Sequence, residues 1–79
     1  LTSGNEEPLG DNKYRILIEG NYFASSDKIV EYFEKKALSV CSVTGNFDIL
    51  KKHIKVLEMN MNTIPETFKL SIDGVIECK

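Results

Sequence analysis

His53, Cys41 and Cys78 are the residues of this 79-residue chain best suited to bond-making chemistry. A hydrolytic triad needs a nucleophile, a base and a group that orients the base. His53 is the one histidine and is flanked by lysines, which reads as a solvated or partly packed side chain rather than a general base. A zinc site would have to draw His53, both cysteines and a carboxylate from distant segments. The cysteines form neither a CxxC pair nor a zinc pattern. Both fall in strand-like runs and read as reduced, buried small hydrophobes of a cytoplasmic or otherwise intracellular protein; the alternative is a structural disulfide in an exported chain. The expectation is therefore a non-enzyme without metal or cofactor.

Phosphate chemistry finds as little. Gly20-Asn21 and Gly45-Asn46 are single glycines at strand ends, not a glycine-rich phosphate loop. Ser25 and Ser26 open a helix and could hold a small anion there on dipole grounds. Lys51, Lys52 and Lys55, with His53, make the one basic cluster that could serve nucleic acid. The net charge of −2 and pI near 5.3 argue against a dominant nucleic-acid footprint. Exposed aromatics on a Gly-Phe pattern, as RNA-recognition sheets use, are missing.

The elements that would position these residues follow from pattern. Seventy-nine residues make one domain with a small core. Residues 1–12 (LTSGNEEPLGDN) are polar and aperiodic and read as a flexible tail or linker, leaving 13–79 as the domain. No apolar run is long enough for a membrane-spanning helix, and no signal peptide is seen. The chain begins at Leu1 rather than Met, as a fragment or processed product would.

Residues 14–19 alternate, with Tyr14, Ile16 and Ile18 on one face. Ser25 to Leu38 is an amphipathic helix: Ser25 or Ser26 caps it, Asp27 suits its first turn, and Ile29, Val30, Phe33 and Ala37 form a core stripe. Glu31 and Lys35 form an i,i+4 pair, and Lys35 and Lys36 suit its end. Leu38 to Thr44 is β-branched and predicts a second strand, parallel to the first. Phe47, Leu50, Ile54, Leu57 and Met61 are spaced three, four, three, four, which favours a helix over 47–53; beyond it, Ile54–Glu58 is open between helix and strand. Thr67–Ser71 and Val75–Cys78 predict a hairpin turning at Ile72-Asp73-Gly74.

The expected fold is a two-layer α/β domain ordered β-α-β-α-β-β, with about four strands in a mixed sheet. A ferredoxin-like α/β plait is the alternative. The segment Thr63-Ile64-Pro65 through Gly74-Val75-Ile76 resembles the thioredoxin-like fold of glutaredoxins, where a cis-proline precedes the third strand. The resemblance implies a member without the redox CxxC, since Phe23-Ala24-Ser25-Ser26-Asp27 stands where the cysteines would be. It implies partner binding near Tyr22, Phe23, Ser25, Ser26 and Pro65, with Pro65 cis. The functional expectation is a non-catalytic protein-interaction or regulatory module, a fragment of a larger protein or assembly, with a protein as its partner. The alternatives are a small nucleic-acid-binding plait domain through Lys51, Lys52 and Lys55, and a thiol-redox protein.

Overall fold

A computed structural model describes residues 3–22, 25–62 and 67–79. Its elements run β1 (Ser3–Gly10), β2 (Lys13–Glu19), α1 (Ser26–Val40), β3 (Phe47–Asn60) and β4 (Thr67–Cys78). The strands form one antiparallel sheet in the order β1-β2-β4-β3. This corrects the β-α-β-α-β-β expectation and the mixed sheet. It also differs from the plait, because the described residues form one helix where the plait needs two. The thioredoxin-like resemblance was drawn from that superseded order. Of the segment that carried it, residues 63–66, Pro65 included, lie outside the described residues, and the rest is one unbroken strand.

The polar opening segment is not a tail from Ser3 onward. It pairs with β2 along its length, from Ser3 opposite Glu19 to Gly10 opposite Lys13. Asp11 and Asn12 close the hairpin with φ of 54° and 62°. Two left-handed residues in a two-residue loop match the twist of the flanking strands, and Asp and Asn tolerate that region.

The helix forms where its pattern predicts. Ser25 caps it, its hydroxyl oxygen accepting from the Lys28 N–H at 3.2 Å. Ile29, Phe33 and Ala37 are fully buried, and Lys35 reaches Glu31 at 3.3 Å. It does not stop at Leu38. It continues through Val40, and the Cys41 N–H still bonds the Ala37 carbonyl. The predicted strand over 38–44 is therefore helix end and turn. Val43, which should have lain within it, is 98% exposed. Lys35 and Lys36 consequently sit before the last turn, and Lys36 reaches across to Glu6 of β1 at 3.2 Å.

The crossover survives in another form. The strand after α1 is β3, parallel in direction to β2, and β4 returns between them. The unit is a split βαβ, so every adjacent pair is antiparallel.

The predicted hairpin turn is likewise absent: β4 runs straight through Asp73-Gly74. Both residues have tertiary reasons to be there. Asp73 accepts from Arg15 Nε at 3.1 Å and Nη2 at 2.6 Å, a two-point carboxylate–guanidinium pair across β2 and β4. A Cβ on Gly74 would stand 2.7 Å from the Phe33 ring and 2.6 Å from the Lys51 carbonyl oxygen. Glycine lets the helix settle onto the sheet.

The core is the helix stripe against Ile16, Ile18, Ile72 and Ile76. The cysteines are bridged, Cys41–Cys78, with Cα atoms 5.4 Å apart. This corrects the reading of a reduced pair. The bridge fastens the end of α1 to the end of β4.

The Arg15–Asp73 pair predicts an acid sensitivity. The hydrogen bond from Arg15 holds the Asp73 carboxyl below its ordinary value of 3.8, against a smaller opposing effect of burial. A carboxylate depressed in the folded state stabilises above the unfolded value, and that contribution is lost as pH falls through the folded value. Urea unfolding midpoints should fall on acidification below about pH 4. In Asp73→Asn the fall should be smaller. Equal acid slopes for the two proteins would refute the assignment.

Candidate functional site

β3 is the longer of the two exposed edge strands. It spans 14 residues, pairs with β4 on one side only, and forms one edge of the sheet. Two bulges interrupt its ladder, between Ile49 and Lys51 and between Val56 and Glu58. Each bulge shifts side-chain alternation by one residue. The helix-side face consequently carries Phe47, Ile49, Lys52, Ile54, Val56 and Met59, opposite β4 residues that face the core. The three-four stripe of Phe47, Leu50, Ile54, Leu57 and Met61 that favoured a helix over 47–53 includes Leu50 and Leu57, the extra residues at the two bulges, and the continuous ladder makes Ile54–Glu58 strand.

The helix covers β2 and β4 far more than β3. Ile54 and Val56 are therefore 36% and 52% exposed, although they point to the apolar side. Over Thr67–Lys69, β4 is paired in the sheet with β3, while the register of β2 covers Ser71–Glu77. The two long strands project as a ribbon, consistent with a molecule 45 Å long and 18 × 16 Å across. Met59 and Phe68 are opposite one another on it and half exposed.

The outer face of β3 is basic. Lys51, His53 and Lys55 lie side by side on the face away from the helix, opposite Val75, Asp73 and Ser71. Lys52 points to the helix side. The sequence cluster is therefore divided by the sheet into three side chains and one. Among the described residues no ion pair engages Lys51, Lys52 or Lys55. The acids at the strand's ends are already engaged: Asp48 pairs with Lys79 at 2.9 Å, and Glu58 accepts a hydrogen bond from the Tyr22 hydroxyl. That bond, more than burial or charge, pushes the Tyr22 phenol up.

The other predicted contact residues are not gathered here. Tyr22 joins the far end of β3 through Glu58, whereas Ser25 is used as the helix cap and Ser26 is exposed in the first turn. Phe23 and Pro65 lie outside the described residues, as does the proposed cis bond. The edge itself was missed. The signal was the Ile-x-Val alternation at 54–56, which the first bulge had put out of phase with Phe47 and Ile49.

The outer face does bring Ser71, His53 and Asp73 near one another in register. They do not make a triad. Both Asp73 oxygens accept from Arg15, no hydrogen bond joins His53 to either partner among the described residues, and Ser71 is 1% exposed. Two hollows beside the sheet set no nucleophile against a base; one is lined by residues including Asn5, Glu7 and Arg15, another by residues including Tyr14, Val40 and Val43. Among the described residues, no group of three or more His, Cys, Asp or Glu could hold a metal, and no helix is long and apolar enough to cross a membrane.

Comparison with known proteins returned no matching family model, no similar curated protein and no similar solved structure.

Proposed function

We propose that the chain is a non-catalytic protein-binding module, and that it binds by adding a partner's extended segment to the β3 edge. One observation carries this reading: a long edge strand pairs with β4 on one side, has no strand on its other side among the described residues, and keeps apolar side chains at its surface. An open edge offers a row of backbone N–H and C=O groups, and strand addition is a recurrent mode of peptide recognition. The disulfide supports an oxidising compartment in place of the cytoplasm expected from the cysteine count. The thiol-redox alternative has little support, since the two cysteines are bonded to each other and Cys41 is 2% exposed.

The test is capture from the source's own fluids or extracts on immobilised, oxidised protein. The wild type should retain a protein, and Ile54→Lys/Val56→Lys should retain it at least about tenfold less, because two buried apolar contacts are each worth more than about 1 kcal/mol. Both positions are partly exposed, so the variant should keep its fold, checked by circular dichroism. Retention by the wild type of nothing beyond a blank support would overturn the proposal.

A further inference from the structure

We propose, resting on the binding reading above, that the β3 edge selects an extended acidic peptide: one whose alternate residues are carboxylates on the outer face and apolar on the helix side. The two bulges limit regular pairing to Lys51–Val56, since each breaks the ladder. Within those six residues the pattern is two-sided. Lys51, His53 and Lys55 line the outer face, while Ile54 and Val56, with Lys52 before them, line the other. A strand laid against this edge places successive side chains on opposite faces. Its outward residues would stand beside the three basic groups, and its inward ones beside Ile54 and Val56. Opposite charges across neighbouring strands stabilise, and like charges directly opposite destabilise.

The same rule disfavours a second copy. Antiparallel self-pairing with like faces together, centred on residue 53, 54 or 55, sets Lys51 against Lys55, His53 against Lys55, or Lys55 against itself. Nucleic acid is disfavoured by the rest of the outer face. Asp73, Glu77, Glu19 and Glu7 share it with Lys13, Arg15 and Lys69 as well as the β3 lysines, so it is mixed rather than a basic stripe, and its described strand residues include no aromatic on which a base could stack.

The experiment is an amide-shift titration of the ¹⁵N-labelled, oxidised protein at low salt with four probes. They are a capped nonapeptide alternating Glu and Val, its Lys-Val counterpart, a peptide of the same Glu and Val composition in two blocks, and a ten-nucleotide oligothymidylate. The alternating Glu-Val peptide should shift the amides of Lys51–Val56 and bind at least about tenfold more tightly than the Lys-Val or blocked peptides. Lys51→Glu/Lys55→Glu, at exposed positions, should reverse the preference between the Glu and Lys peptides. Equal binding of the alternating and blocked peptides would overturn the inference. So would binding of the oligonucleotide without the peptide, or concentration-dependent shifts of β3 in the protein alone, which would mean a second copy. If no peptide touches β3 while the wild type still captures a partner that Ile54→Lys/Val56→Lys loses, this inference falls and the binding module stands.

Discussion

Reduction of the Cys41–Cys78 bridge is expected to lower the free energy of unfolding by about 3–4 kcal/mol, the loop-closure value for a separation of 37 residues. For a domain of this length, total stability is about 4–12 kcal/mol, so the loss is a large share of it. The position of the bridge explains why nothing else compensates. The helix lies on the sheet through a handful of side chains, and beyond Cys41 the chain turns away through exposed residues. Cys41 is the last buried residue before that turn, and Cys78 packs against the same core from the end of β4. Urea unfolding with and without reductant measures the effect, with free thiols titrated to show that the bond has opened. Cys41→Ala/Cys78→Ala should match the reduced protein and ignore reductant. An unchanged midpoint after complete reduction would refute a structural role.

Phe33→Ala should be of similar size, about 3–5 kcal/mol, because it removes the largest fully buried side chain from the centre of the helix–sheet interface. Its neighbour gives the sharper test. Gly74→Ala places a methyl 2.7 and 2.9 Å from the Phe33 ring and 2.6 Å from the Lys51 carbonyl oxygen, closer than packed carbon atoms stand. Overpacking of this kind costs about 1–3 kcal/mol. The two sites share one space, so their effects should not add. Phe33→Leu/Gly74→Ala should be less destabilised than the sum of its single variants, since the smaller side chain vacates the position the methyl needs. The part due to the Lys51 carbonyl should remain, because backbone cannot rotate aside. Additive losses in chemical denaturation would show that the ring and the glycine are independent.

The identity of Gly74 also shows why β4 was misread. Asp-Gly between two apolar runs is a strong hairpin signal, and no local rule separates a turn glycine from one that makes room for a ring. The discriminating facts are Phe33, which comes from the helix, and Arg15, which holds Asp73 from a strand 58 residues away in sequence. The second misreading has a similar root. Three-four spacing over Phe47–Met61 came from a strand whose two bulges shift its phase, and bulges are visible only as register against β4. The strand predicted over Leu38–Thr44 had β-branched residues but no neighbour to pair with, and helix continuation satisfied its backbone instead.

Of the candidate site, the basic residues were legible and their arrangement was not. Lys51, Lys52, His53 and Lys55 are adjacent in the chain, yet one points to the helix side and three share the open face. The edge was invisible, because whether a strand is central or peripheral depends on where its partners go.

What sequence alone determined is local and periodic: the alternation of Tyr14, Ile16 and Ile18, the capped helix with Ile29, Phe33 and Ala37 inward, and the Glu31–Lys35 pair. Those features arise from residues within a few positions of one another, where backbone geometry alone sets which side chains share a face. Tertiary structure decided the rest: the strand order, the split crossover, the turn that became a strand, the bridge between the cysteines and the free edge of β3. Each of these depends on contacts between residues far apart in sequence, and their energies exceed the few tenths of a kcal/mol by which local preference distinguishes strand from helix in short apolar runs.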